Sequence, residues 1–533
     1  VKLFKLVWVM ALPFFVLLTG LLLLQGAPPA VVADDQLAAQ EDWPPRYESL
    51  SRSTDKSVYA DMDTIVLNGK KVIVVVWTEA AGESRVSGSI KMKWRFEDGS
   101  WNALPRTALP QAGEVDKYSY PALALHNSPD NSSVEAHVTW LRQSGDYMWV
   151  QYGLYALAES ASDFGSFERI SSDQSALKEL TLTSPDITVD ANGCPHVVWA
   201  ALDPGQPESD PDRSRITYSN KCGGSWGNNA EGWAIANGQK EDNPAIAVSG
   251  DGYIYVAWED NGTSKGIQVM RRTGTGGGEG SWTSQSTRIS NQLEDSLPSL
   301  AVDTVASGGM YRVFVAWQRQ VGSSQGTPPS ADYSISYKVL TGANVTDDWW
   351  PGGNDLDQCR SAFTSTTYAP SLEQDEFYLG LRPSIEVIDH ELHVAYQHGG
   401  RSGTGSLLPG TAEIGPSNEG LVKDFQVVYA HASHERIPPL KGVFYWITET
   451  IAIEEILTCY ESEPVFTNPS LSIIAGDEYP HVAFQKRVAL PARVGQTEYT
   501  WNVWYANGED FDYRCGVNPD YPVVYLPMAR RNY

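Results

Sequence analysis

Cysteine is scarce in this chain. Five residues among 533 are too few for a disulfide scaffold, and none stands in a Cys-x-x-Cys pair or beside a His-rich run that would suggest zinc. Positive charge is also in short supply: 39 Lys and Arg face 65 Asp and Glu, a formal net charge of −26. So acidic a surface repels phosphate backbones and no Lys/Arg stripe offsets it, which excludes nucleic acid as a partner. Neither a phosphate-binding loop nor His-Glu-x-x-His occurs. Residues 274–280 are rich in glycine, but without a Lys-Ser/Thr ending they read as a hairpin tip.

Aromatic and turn-forming residues, by contrast, are plentiful: 18 Trp, 26 Tyr, 46 Gly and 32 Pro. That mixture suits many short strands joined by turns. The first 33 residues read as a signal peptide. Lys2 and Lys5 form a basic start, residues 6–24 carry no charge, and Val31-Val32-Ala33 offers a small-residue cleavage site before Asp34-Asp35. The apolar run is near the roughly 20 residues that span a bilayer. Pro13 and Gly20 weaken it as a helix, which favours cleavage over a retained anchor. Losing the two lysines takes the charge from −26 to −28. The body is expected to be secreted or at the cell surface, meeting a membrane only if the leader stays. All five cysteines follow the leader, which fits an oxidising compartment. Residues 34–57 are polar and read as a linker.

From there a phrase recurs: a proline, a short apolar stretch, a turn, then apolar residues ending in an aromatic. It reads Pro185-Asp-Ile-Thr-Val-Asp-Ala-Asn-Gly with His196-Val-Val-Trp199, then Pro244-Ala-Ile-Ala-Val-Ser-Gly-Asp-Gly with Tyr255-Val-Ala-Trp258. Pro298-Ser-Leu-Ala-Val-Asp pairs with Phe314-Val-Ala-Trp317, and weaker copies start at Pro121, Pro383 and Pro469. A further copy without the proline runs from Tyr59 to Trp77. A third segment of alternating character follows, such as Arg215-Ile-Thr-Tyr218 or Trp501-Asn-Val-Trp504, and several copies close on Gly-Ser-Trp. Strand, turn, strand, loop, strand, turn, strand is a four-stranded antiparallel meander. Repeated side by side it predicts an all-β single propeller over residues 58–522, with seven blades, or six if the first copy is a decoy. Residues 523–533 are either a terminal tail or a closing strand. The aromatic that ends each second strand (Trp77, Trp140, Trp199, Trp258, Trp317, Tyr396, Phe484) recurs once per unit, which predicts packing between blades rather than sugar stacking.

These phrases resemble the sialidase-like propellers with their BNR or Asp-box repeats. The box, Ser-x-Asp-x-Gly-x-Thr-Trp in that family, is eroded here: Asp98-Gly-Ser-Trp101 keeps Asp and Trp at shortened spacing, while Gly223-Gly-Ser-Trp226 and Glu279-Gly-Ser-Trp282 lack the Asp. The resemblance implies, for a catalytic member, three arginines on the substrate carboxylate, a Tyr nucleophile activated by a Glu, and an Asp acid/base. Arg142, Arg319, Arg382, Arg401 and Arg487 lie in suitable regions, with Asp203 or Asp260 as acid. No Arg-Ile-Pro string stands ahead of the ring, since Phe167-Glu-Arg-Ile170 continues into Ser171 within the second unit. No Tyr/Glu pair is placed by motif. The sequence therefore leans toward a non-catalytic, monomeric module binding an extracellular glycan, protein or cell-wall ligand, with sialidase-type or other glycan-cleaving chemistry as the alternative.

The longer second-to-third loops, 200–214, 318–333, 397–424 and 485–500, mark the expected binding face. Just after each second-strand aromatic stand polar residues expected to ring the channel mouth: Glu79, Arg142, Asp203, Glu259 with Asp260, Arg319, His398, and Lys486 with Arg487. Asp242, Asp295 and Arg382 precede the first strands on the same rim. Such a mixed-charge ring suits an oligosaccharide or peptide ligand. No cofactor or metal is indicated by a motif. The acidic stretch Asp203, Glu208, Asp210 and Asp212 could hold calcium through carboxylate oxygens, but its spacing is not an EF-hand. Cys194 and Cys222 fall in turns on one face of one unit, which predicts a disulfide contributing roughly 3 kcal/mol. Cys459 and Cys515 form a second possible pair.

Overall fold

Each repeated phrase forms two neighbouring antiparallel strands, the first on the inside. In the third unit Thr181–Val189, Pro195–Leu202, Ser214–Asn220 and Trp233–Gly238 pair in sequence order as one antiparallel sheet. The same order starts from inner strands Lys56–Leu67, Asp116–Asn127, Glu241–Val248, Asp295–Val302, Ser384–Ile388 and Phe466–Ser472. The computed structural model describes residues 47–303 apart from 52–55, 81–87, 98, 104–115, 146, 160–161, 165–166, 172–180, 204, 208, 211–212, 228–232, 239, 263–265, 274–280, 284–285 and 291–294. Further on it describes 311–324, 330–340, 349–351, 365–367, 383–388, 391–399, 423–433, 447–456, 466–474, 480–489, 499–507 and 512–513. Among the described residues no helix is long and apolar enough to cross a membrane. The leader lies outside them, as does the tail at 523–533.

Turn chemistry explains the tight inner hairpins. Asn68-Gly69 has both residues at positive φ, 52° and 79°, the geometry of a two-residue turn between twisted strands. In the third unit Asp190 does the same work with its side chain, Oδ1 accepting the amides of Asn192 and Cys194 at 2.9 and 3.0 Å.

The recurring proline sits at a bulge. Register slips between Ser119 and Ala122, Thr183 and Asp186, Asp242 and Ala245, Ser296 and Ser299, and Thr467 and Ser470. A proline stands inside each slip, where its missing N–H breaks no ladder bond. The first unit keeps the bulge without proline, between Val58 and Asp61.

Second strands are apolar on both faces, residues 72–77 being buried throughout, because each sheet is sandwiched between two others. The first two units join in one sheet where Gly88 pairs with Tyr118, and among the described residues seven apolar clusters lie between consecutive units, each holding one of the recurring aromatics. Trp140 packs against the first unit, Trp199 against the second, Trp258 against the third and Trp317 against the fourth. Tyr396 and Phe484 continue the series, and Trp77 packs against Ala483, Val503 and Tyr505 of the last sheet. The period did mark inter-sheet packing, and the copy starting at Tyr59 forms an inner strand and a second strand like the others.

The Gly-Ser-Trp ends are packing devices as well. Trp101, Trp226 and Trp282 lie edge-on to Tyr505, Tyr152 and Tyr218 of the preceding unit, with centroids 5.2, 5.0 and 5.1 Å apart. A cation from the tryptophan's own unit covers the same tyrosine: Arg95, Lys221 and Arg272 respectively.

The last sheet is completed from the other end of the chain. Tyr47–Ser49, within the stretch read as linker, pairs antiparallel with Tyr499–Asn507, Glu48 standing opposite Tyr505. Three residues in a polar stretch carry too little periodicity to be read as a strand.

Candidate functional site: the channel and its mouth

Inner strands from all seven units line one central cavity of about 430 Å³. They are stitched to one another by channel-side residues just past the bulge. Asp61 Oδ2 accepts the amide of Leu123 at 2.8 Å, Asp186 Oδ2 that of Ile246 at 2.8 Å, and Ser299 Oγ that of Ile385 at 3.2 Å. Ser384 Oγ accepts from Leu471 at 2.9 Å and Ser470 Oγ from Met62 at 3.0 Å, which joins the last inner strand to the first. Ala122 and Ala245 hold the equivalent place in the second and fourth units and leave it apolar.

The channel wall is acidic. Asp61, Asp63, Asp186 and Glu386 all line it. They touch the cavity but are walled by protein on every other side, and this desolvation disfavours their charged forms. Burial raises Asp61, and it pushes Asp63 and Asp186 up to about 7, their backbone hydrogen bonds only partly opposing the rise. Glu386 is pushed up to about 8 by burial and by the neighbouring Asp63.

The upstream end of the inner strands forms the mouth. Here the bulge places a residue in the left-handed region in five units: Tyr59 (φ 55°), Tyr120 (51°), Ser184 (32°), Asn243 (46°) and Leu297 (52°). Non-glycine residues adopt this conformation at a cost of about 1 kcal/mol or more each, and bulges re-aim the side chains they carry. The result in the first two units is an aromatic pair. Tyr59 and Tyr120 have ring centroids 4.0 Å apart and hydroxyls 3.0 Å apart.

The rim residues read from the sequence fall at this same end, where second strands finish opposite the starts of inner strands. Glu79 pairs with Lys91 at 3.4 Å. Arg142 grips Asp116 through Nη2 at 2.9 Å and Nε at 3.4 Å, and stacks over Trp149. Arg319 grips Asp295 in the same way, at 3.0 and 3.3 Å. Asp203 Oδ1 closes a turn onto the amide of Gly205. Asp260 is buried and accepts the amide of Gly262 at 2.8 Å. Its neighbour Glu241, pushed up to about 8 by burial and by Asp260, accepts from Trp258 Nε1 at 2.8 Å. Glu259 links two units, accepting from Asn243 Nδ2 and from the amide of Leu297. Arg142 and Arg319 are thus paired within their own sheets. His398 and Arg487 are placed by their backbones, opposite Gln426 and Trp501. Arg382, Arg401, Glu208 and Asp212 lie outside the described residues, as do Cys359, Cys459 and Cys515. The Cys194–Cys222 disulfide is present.

Two strings that resemble catalytic motifs lie in the wrong context. Gly223-Gly-Ser-Trp-Gly227 spells Gly-x-Ser-x-Gly, but it lies in an exposed turn after a strand, not on a strand-to-helix elbow. An Arg-Ile-Pro string does occur, at 436–438, in the sixth unit and outside the described residues.

No protein-family model and no curated protein matches the chain. Among solved structures it is similar to a polysaccharide lyase of family PL25, an ulvan lyase, at 9% identity over 84% of this chain and 93% of that one, TM-score 0.40. It is also similar to the Hadza microbial sialidase Hz136, at 9% identity over 78% and 73%, TM-score 0.37. An α-L-arabinanase of Penicillium chrysogenum matches at 12% identity over 66% and 91%, TM-score 0.34. Likenesses this distant carry no residue and no activity across to this chain.

Proposed function

We propose that this chain is an exported, seven-bladed propeller that recognises a neutral saccharide outside the cell at the mouth of its channel. The observation that carries the proposal is the Tyr59–Tyr120 pair standing over an acidic channel. Sugar rings present C–H faces that settle against aromatic rings, and their hydroxyls donate to carboxylates and carboxyls alike. To the extent that these carboxyls ionise, and within a chain of formal net charge −26, a carboxylated sugar is disfavoured relative to a neutral one. The blade count rests on the seven inner strands round the cavity and the seven inter-sheet clusters. Glu79, Arg142, Asp203, Asp260, Arg319, Arg382, His398 and Arg487 extend the proposed contact surface along the rim. The proposed setting is secreted or cell-surface and monomeric.

A second reading is favoured by the raised carboxyls. Asp63, Asp186 and Glu386 hold protons near neutral pH, as a general acid for glycoside cleavage must. The deciding experiment sets the purified chain against an array of neutral, cationic and anionic glycans, with turnover of the bound classes followed in parallel. Binding of neutral glycans without turnover is the expected result. Turnover abolished by Glu386→Gln makes the chain a hydrolase, and preference for sialylated glycans overturns both readings.

A further inference from the structure

One turn of the third unit gathers chemistry that the channel leaves unused. Cys194 ends the turn between the inner and second strands, and Cys222 follows the third strand. Their Cα atoms are 4.8 Å apart and their sulfurs are bonded. His196, fully buried, turns Nε2 to within 4.0 Å of Cys222 Sγ and 3.6 Å of Asp190 Oδ2. One ligating atom from each of Asp190, Cys194, His196 and Cys222 lies within 4.8 Å of all the others.

Asp190 supplies the observation that separates this group from a chance gathering. It is 2% exposed, and while Oδ1 closes the turn, Oδ2 is buried without a hydrogen-bond partner. A buried carboxylate oxygen that makes no close hydrogen bond and meets an imidazole nitrogen only at 3.6 Å is costly, and such exceptions call for an explanation. This one is aimed at His196 Nε2. The other ring nitrogen is held by the Tyr218 hydroxyl at 2.7 Å, the kind of outer contact that fixes a ligating imidazole.

An internal comparison isolates what is special here. His137, His393 and His481 start their second strands in the same way, each with Nδ1 on a tyrosine hydroxyl, of Tyr152, Tyr429 and Tyr505. The His–Tyr pair is therefore part of the framework. Among the described residues, only the copy at His196 adds two cysteines and a buried aspartate in ligating reach.

We propose that reduction of the Cys194–Cys222 bond opens a site for one divalent metal ion of the zinc type, held by Asp190 Oδ2, His196 Nε2 and the two Sγ atoms. Two thiolates, an imidazole and a carboxylate suit a closed tetrahedral zinc site. Reduction by an external dithiol breaks the Sγ–Sγ bond, leaves two thiols here, and converts the reductant to its own disulfide. Coordination then releases the two thiol protons to solvent. With metal–sulfur bonds of about 2.3 Å, the sulfurs separate to roughly 3.7 Å, which side-chain rotation can supply. Metal and disulfide are alternatives at one place, chosen by the redox state of the surroundings. No sequence motif announces the site, because its donors come from two turns that only the meander brings together.

The test is a titration of the full chain with Co2+ alone, before and after reduction by a dithiol that is then removed. The reduced chain is expected to bind one Co2+ with a thiolate-to-cobalt charge-transfer band and the visible bands of tetrahedral cobalt, both bleached by Zn2+. The oxidised chain and Cys194→Ser/Cys222→Ser should show neither. Asp190→Asn keeps the oxygen that caps the turn and loses only the facing one, so it should fold and bind at least about tenfold more weakly. Absence of the bands in the reduced wild type overturns the proposal. So does equal Co2+ binding by the oxidised chain or by the Asp190→Asn protein.

Discussion

The Ser470 hydroxyl donates to Asp61 Oδ1 at 2.8 Å across 409 positions of sequence, while its oxygen accepts the amide of Met62 at 3.0 Å. One side chain thereby ties the last inner strand to the first. Ser470→Ala leaves the Met62 amide without its acceptor and removes a donor from a buried carboxyl. The expected loss is about 1–3 kcal/mol, read from the midpoint of urea unfolding. An unchanged midpoint would mean that water replaces the hydroxyl and that closure rests on the apolar cluster around Trp77.

The tyrosine pair at the mouth should carry binding more than stability. Tyr59→Ala and Tyr120→Ala are each expected to weaken a neutral glycan by about tenfold, or 1.4 kcal/mol. The ring contact between the two units contributes only about 0.5–1.5 kcal/mol to folding. Calorimetric titration against the best array ligand checks the first figure, and a thermal melt the second. A sialylated probe should bind more weakly than its neutral counterpart, by a margin that shrinks as salt is added.

Stability should fall as pH rises toward the alkaline side of neutrality. Asp63 and Asp186 titrate at about 7 and Glu386 and Glu241 at about 8 in the folded chain, against roughly 4 when unfolded. Between those limits the native state binds protons that the unfolded state does not, so unfolding free energy decreases with pH across that window. His137 and His196, both held below their usual value by burial, oppose this below about pH 6.5, while Asp61 and Glu259, raised by burial, act in the same direction as the four acids. Melting temperatures measured from about pH 5.5 to about pH 8 should decline. Glu386→Gln, at a carboxyl paired with no backbone amide, should flatten the slope.

The period-marked aromatics predict a larger effect. Trp199 is 2% exposed between the second and third sheets. Trp199→Ala should cost about 3–5 kcal/mol in urea unfolding, with affinity of the surviving folded fraction unchanged. A loss of affinity at constant stability would return this position to ligand binding.

The parts of the fold visible in the sequence are those repeated at fixed spacing. Proline, turn and terminal aromatic recur because each serves the same bulge, hairpin and interface in every unit. The polar residues that end second strands lie opposite the starts of inner strands, because the end of a second strand follows directly from its aromatic. What their side chains do there was hidden. Arg319 meets Asp295 only through the strand register that sets the two opposite each other, and Arg142 reaches Asp116 diagonally. The tyrosine pair escaped notice because the position before the proline varies, as Tyr120, Ser184, Asn243 and Leu297 show. Asp61 and Asp63 looked like the polar half of an ordinary alternating strand. Their meaning comes from six other strands converging on the same axis.

Tyr47–Ser49 has a consequence for how the molecule is made. This strand is the first described segment to be synthesised, yet its partner, Tyr499–Asn507, is among the last. Until the partner arrives, the early strand has nowhere to pair. Chains cut short before residue 499 keep the pair Phe466–Ser472 and His481–Ala489 but leave its edge and Tyr47–Ser49 without the strand that joins them, an edge of the kind that can recruit other chains. The last sheet is therefore complete only when both segments, from opposite ends of the described residues, are present on one chain.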